Sequence, residues 1–391
     1  MKILYAAGPG NIVETYRFWK KGEHDPSQVA LTYSEQFYQF CKDNEIQGVA
    51  ISSNENEEYL ADDNFVICNK KTPKWLKQGF SYHLGQIYTS IRLFKVAKVN
   101  NCDTVIVSNF NDWFTLAILK PFGIKVIPTL HCTFWTTGTK PNGIKSKILY
   151  RLNSWFWKNC VSATLCISPE CEKQLREICP NLDSPIIQAR PTYFSSSFEN
   201  IKLPSFNNKE FHIIFAGRIE QNKGIFELYD TAKTLEKMHP GIYKWHICGN
   251  GNSFSTLKEM INKEQATDYF YLKGHCSRDR MIQYFSLSNL FIVPTRKDFA
   301  EGLNKVAIEG VLSRRPVIVS KYIPATDILG DSVIVAEHLE SEYLANLIHS
   351  YYENVEKYKR SIASTENVRD IFFDEANGWK ASLRKAIKSI N

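Results

Sequence analysis

The chain has 391 residues, enough for two domains with separate cores. Hydrophobic residues make up 43% and charged residues 23%, with a formal net charge of +7. That modest basic excess fits anionic small molecules or an anionic membrane surface better than a dedicated nucleic-acid binder. The ten cysteines form no CxxC pair, and Cys160, Cys166, Cys171 and Cys179 lack zinc-like spacing. They read as small reduced core residues, which points to a cytosolic compartment and to no metal site.

The opening run MKILYAAGPG enters a strand at once and leaves it in a glycine loop. It has no charged flank, long apolar core and cleavage site of a secretory signal, and no apolar run is long enough to span a bilayer. Short apolar runs then alternate with longer amphipathic segments, the pattern of a parallel sheet covered by helices. Residues 2–7, 48–52, 64–68, 103–108, 124–130 and 163–168 are predicted strands of a first domain, 1–200. Between Asp112 and Glu170 there is no acidic residue, while Lys120, Lys125, Lys140, Lys145, Lys147, Arg151 and Lys158 interleave with Trp135, Trp155, Phe156 and Trp157. Such an interval is either a basic aromatic surface for an anionic membrane or a solvated face with its aromatics in the core. In ISPECEKQL (167–175), Ser168 reads as a helix cap.

The Ser-, Asn- and Pro-containing stretch 194–210 reads as a linker. A second domain, 201–370, carries predicted strands at 211–217, 243–249, 269–274, 290–294 and 316–320, and residues 371–391 form a C-terminal helix that packs back on the first domain. Each half opens with strand, glycine and helix. The expected fold class is therefore α/β, two doubly wound Rossmann-like domains facing an interdomain cleft, with ligands at the carboxyl ends of the strands.

The segment DFAEGLNKVAIEGVLSRRPVIVS (298–320) runs from loop to helix to strand. Glu301 sits where the loop gives way to the helix, and Glu309 is expected about two turns into it. Carboxylates beside the free N–H groups of a helix start can hold an anion and a polyol together. AGRIEQNKG (216–224) follows the second domain's first strand, so Arg218 and Lys223 converge on its mouth, where cations can neutralise a diphosphate leaving group. The bland alternatives are surface or capping glutamates and two solvated loop charges. The glycine loop AAGPGNIVETYRFW (6–19) lacks the full GxGxxG fingerprint, which disfavours a dinucleotide site.

These motifs together resemble the retaining nucleotide-sugar glycosyltransferases of the GT-B fold, specifically glycosyltransferase family 4 (group 1). The resemblance is strong over about 211–335 and looser over the first domain. It implies a UDP- or GDP-hexose donor, a glycan or lipid-linked acceptor, retention of configuration, and no cofactor or tightly bound catalytic metal. It also implies roles: Arg218 and Lys223 clamp the diphosphate, Glu301 holds the sugar, Glu309 holds the ribose, and amides near Leu303 and Asn304 add helix-start dipole. By the same likeness Gly8 and Gly10 lie over the donor phosphates, His131 contacts the donor sugar, and Gly217, Gly249, Gly274 and Gly302 line the nucleotide-sugar site, with His275 and Cys276 near the base. The expected location is cytoplasmic, from the reduced cysteines, and peripheral contact at an anionic membrane through Trp113–Pro169 stays one of the two readings of that interval. The competing readings are another GT-B enzyme (a sugar-nucleotide epimerase or a phosphorylase) and a catalytically silent sugar-nucleotide-binding subunit.

Overall fold

The computed structural model describes residues 1–76, 80–108, 110–204 and 209–390. Its first sheet contains β1 (Lys2–Ala6), β2 (Gln47–Ser52), β3 (Glu58–Ala61), β4 (Phe65–Asn69), β5 (Thr104–Ser108), β6 (Lys125–Leu130), β7 (Thr164–Cys166) and β8 (Ile186–Gln188). They are ordered β3-β4-β2-β1-β5-β6-β7-β8, all parallel except the β3–β4 pair. The second sheet contains β9 (Phe211–Ala216), β10 (Tyr243–Cys248), β11 (Phe270–Gly274), β12 (Leu290–Val293), β13 (Val317–Ser320) and β14 (Ile334–Ala336). Its order is β11-β10-β9-β12-β13-β14, and every pairing is parallel.

The central strands read as unbroken apolar runs because helices cover both faces. TVIVS of β5, LFIV of β12 and VIVS of β13 are buried at every position. One face of the first sheet packs with the helices Ile12–Lys20 and Tyr33–Asp43, and Trp379, Leu383 and Ala386 of the helix Trp379–Ile390 lie in that same core. The last helix therefore crosses back to the first sheet, with the Trp379 indole N–H donating to Thr129 Oγ1 at 3.1 Å. The far face of the second sheet packs with the helices Ile225–Met238 and Ser341–Glu353. A further cluster runs from Leu4 and Val107 through Phe198 to Phe291, Ala307 and Phe372, so apolar contact is continuous from one domain to the other.

The stretch 194–210 includes a short helix, Ser196–Glu199, that buries Phe198; residues 205–208 lie outside the described residues. No helix among the described residues is long and apolar enough to cross a membrane. All ten cysteines are free.

Candidate active site

Leaving aside the antiparallel edge strand β3, the parallel strands of each sheet reverse their order once, between β1 and β5 and between β9 and β12. Open α/β sheets bind ligands at the carboxyl ends of such strands. Here both reversal points open on one cavity of about 460 Å³, lined by Gly8, Gly10, Ser108 and His131 from the first domain and by Gly217, Arg218, Lys223, Thr295, Glu301, Leu303 and Asn304 from the second.

β9 ends at Ala216, and the single turn Gln221–Lys223 then brings Lys223 inward. Its ammonium pairs with Glu301 Oε1 at 2.8 Å, and both side chains are nearly buried. Thr295, just past β12, donates its hydroxyl to Glu301 Oε2 at 2.8 Å. The Phe299 ring lies 3.8 Å from the Lys223 ammonium and 5.2 Å from the Arg218 guanidinium. Arg218 itself is half-exposed and pairs with Glu220 at 3.1 Å. Two cations thus stand over one aromatic face, one held by a nearly buried carboxylate and one held by the carboxylate of Glu220 at the half-exposed rim.

The helix Lys305–Leu312 begins later than its sequence implies. Asn304 caps it, accepting from the Ala307 N–H at 3.0 Å, so Glu301 is still in the loop before the helix. Glu309 lies about one turn into the helix rather than two. Leu303 and Asn304 line the cavity beside the first helical turn, whose N–H groups have no intrahelical acceptors. Glu309 is buried behind that turn and does not line the cavity; the Tyr193 hydroxyl donates to its Oε1 over 3.5 Å. Burial pushes the Glu309 carboxyl up to about 7, opposed by the nearby Lys305 ammonium and then by the Tyr193 hydrogen bond.

His131, one residue past β6, is held neutral: burial, and then the Lys305 charge, push its pKa down to about 3. Thr129 Oγ1, which accepts from the Trp379 indole N–H, also hydrogen-bonds His131 Nε2 at 3.2 Å. Nδ1 is buried with no partner in the protein. A neutral imidazole at this place can hydrogen-bond a ligand oxygen but brings no charge.

Three expected glycines do not line the cavity. Gly249 and Gly274 close against each other, the Gly249 N–H donating to the Gly274 carbonyl at 2.7 Å, and a Cβ on Gly249 would sit 1.8 Å from the Gly217 carbonyl oxygen. Gly302 serves the domain contact instead, since a Cβ there would lie 1.9 Å from the His131 carbonyl oxygen. Beside it, the Thr133 hydroxyl donates to the Glu301 carbonyl at 3.0 Å. Near the expected base site, His275 is exposed and the buried Cys276 thiol donates to the Gly274 carbonyl at 3.6 Å. Ser168 caps its helix, accepting from the Cys171 N–H at 3.3 Å.

Residues that no motif singled out complete the site. Lys305 donates to Gln28 Oε1 at 2.9 Å and lies 5.2 Å from the Tyr33 ring. Arg278 clasps the same first-domain loop, donating to the Asp25 carbonyl at 2.7 Å and the Gln28 carbonyl at 2.9 Å. A second cavity of about 550 Å³ adjoins the first, sharing His131 and Arg218 and walled by Tyr82, Trp113, Phe134, Tyr150 and Phe299. In the acid-free interval, Trp113, Trp135, Phe156 and Trp157 are core residues, whereas Trp155 is 52% exposed.

Residues 197–368 match the sequence profile of the family described as "Glycosyl transferases group 1". The lipopolysaccharide 1,2-N-acetylglucosaminetransferase of Salmonella typhimurium is 26% identical over 187 residues, covering 43% of this chain and 48% of that protein, so the match spans about half of each. Among solved structures, "Trehalose-6-phosphate from E. coli bound with UDP-2-fluoro glucose" superposes with a TM-score of 0.71 at 11% identity, over 100% of both chains. Anabaena HepE in complex with UDP superposes with a TM-score of 0.66 at 14% identity, again over 100% of both. The chain thus has the GT-B fold, and its second half is similar to the group 1 glycosyl transferases over residues 197–368.

Proposed function

We propose that the protein is a hexosyltransferase of the family 4 type, moving a hexose from UDP- or GDP-hexose to a glycan or lipid-linked acceptor with retention of configuration. The observation that carries this reading is the Lys223–Glu301 pair at 2.8 Å, flanked by Arg218, at the strand ends where both sheets reverse. The donor diphosphate takes Lys223 away from Glu301 and draws in Arg218. The two cations then oppose the charge that develops as the anomeric C–O bond breaks. Glu301, released from Lys223, accepts from sugar hydroxyls, and first-turn amides beside Leu303 and Asn304 hold a phosphate oxygen. Glu309 accepts from the ribose hydroxyls once the Tyr193 contact yields. The departing phosphate oxygen takes the acceptor proton, so no separate base is required. The UDP in the two structural neighbours favours a UDP donor. The same reading places the chain in polysaccharide biosynthesis at the cytoplasmic face of a membrane.

Retention is tested by NMR of the first-formed product from an α-linked donor. An α-linkage is expected; a β-linked first product overturns the assignment.

A further inference from the structure

We propose that the outer face of the helix Ile144–Cys160 docks on an anionic phospholipid bilayer, an inference that rests on the membrane-side reading above and names the surface that performs it. Ile144, Ile148, Leu152 and Trp155 are 79%, 55%, 40% and 52% exposed. Their three- and four-residue spacing sets them in one line along the helix, opposite the buried Asn153, Phe156 and Trp157. Lys147, Arg151 and Lys158 follow one edge of that line and Lys145 the other. Among the described residues no carboxylate pairs with these four, and the interval 113–169 contains none.

The apolar surface continues beyond this helix. The segment Trp113–Phe122 packs against both Ile144–Cys160 and the helix Phe80–Val99, and it leaves Ile118 and Phe122 partly exposed. On Phe80–Val99 the exposed large hydrophobics are Leu84, Ile87, Tyr88 and Ile91, again at helical spacing, and Val99 at the helix end.

An apolar line with an amphipathic tryptophan and basic borders suits the headgroup boundary of an anionic bilayer. A second copy of this chain is a poor occupant, because the basic borders would face each other. The inner side of the same helix supplies Leu149, Tyr150 and Asn153 to the cavity beside Arg218. Docking therefore holds that cavity within one helix diameter, about 10 Å, of the headgroup layer.

The test is co-sedimentation of the full chain with phosphatidylcholine vesicles, with and without phosphatidylglycerol. Two exposed-face variants are compared with the parent, Ile148→Glu/Trp155→Glu and Lys147→Gln/Arg151→Gln. Binding is expected only with phosphatidylglycerol, weakened by salt and about tenfold weaker in each variant. UDP or GDP affinity should match the parent in both, which shows that the fold is kept. Absence of sedimentation, sedimentation independent of phosphatidylglycerol, or unaffected variants each overturns the proposal. So does a dimer in light scattering that Ile148→Glu/Trp155→Glu dissolves, which would assign the face to a second copy. A parent that sediments yet binds neither nucleotide would instead sink the donor reading and leave the docking surface standing.

Discussion

At the scale of single residues, the site stores its cation in an internal ion pair. Lys223 and Glu301 are both largely buried, and the charge of each is tolerable because the other is 2.8 Å away. Removing one partner leaves the other uncompensated, so Glu301→Ala should weaken the fold as well as the proposed sugar contact. Glu309 is a different case, a buried carboxyl raised from its ordinary 4.5 to about 7 with a neighbouring ammonium that only partly offsets burial. Its neutral form favours the folded, empty protein, so its stability contribution is full below pH 4.5 and is lost as pH rises through about 7. Ribose hydroxyls donate better to the ionised form. Calorimetric UDP or GDP affinity should therefore rise as pH climbs through about 7, and Glu309→Gln should abolish that rise. A wild-type affinity that is flat from pH 6 to about 8 would detach Glu309 from the nucleotide.

The charged residues that line the cavity were legible because they cluster within short segments at strand ends. Arg218 and Lys223 follow β9, and Glu301 follows β12. Thr295, Phe299 and Lys305 lie in or beside the same motifs, yet their roles depend on which way each side chain turns, and spacing does not set that. Tyr33 and the loop Asp25–Gln28 were invisible for another reason. They become part of the site only when Lys305 and Arg278 of the other domain close on them.

At the scale of elements, the long buried strands announced themselves as apolar runs. β3, β8 and β14 did not: EYLA alternates at an exposed edge, and IIQ and IVA are three residues each, too short for periodicity. The helix Lys305–Leu312 starts four residues past Glu301 because the Asn304 side chain caps it, accepting from the Ala307 N–H, a role that the position of the loop alone does not assign. Gly302 has its own reason, the His131 carbonyl lying where a Cβ would go. Gly302→Ala should lower stability by about 1–3 kcal/mol in urea titration, through overpacking at the domain contact. An unchanged denaturation midpoint would mean that the two domains separate there without cost.

At the scale of the whole molecule, the two domains are tied by apolar contact, by the Thr133–Glu301 link and by a C-terminal helix that returns to the first sheet. Trp379 anchors that return, 1% exposed and hydrogen-bonded to Thr129, which in turn orients His131. Trp379→Ala should cost roughly 3–5 kcal/mol of stability. Because the Thr129 hydroxyl would lose its partner, the variant should also weaken donor binding even where it remains folded. Full donor affinity in the folded variant would make Trp379 a packing residue only.

The central claim is that Arg218 and Lys223 act on the diphosphate of a hexose donor held between the domains. It is tested most directly by incubating the pure protein with a panel of UDP- and GDP-hexoses and following free nucleoside diphosphate. Release is expected from a UDP- or GDP-hexose, falling about 10²- to 10³-fold in Arg218→Ala and in Lys223→Ala. Release from none of the donors, or undiminished release in both folded variants, would contradict the account.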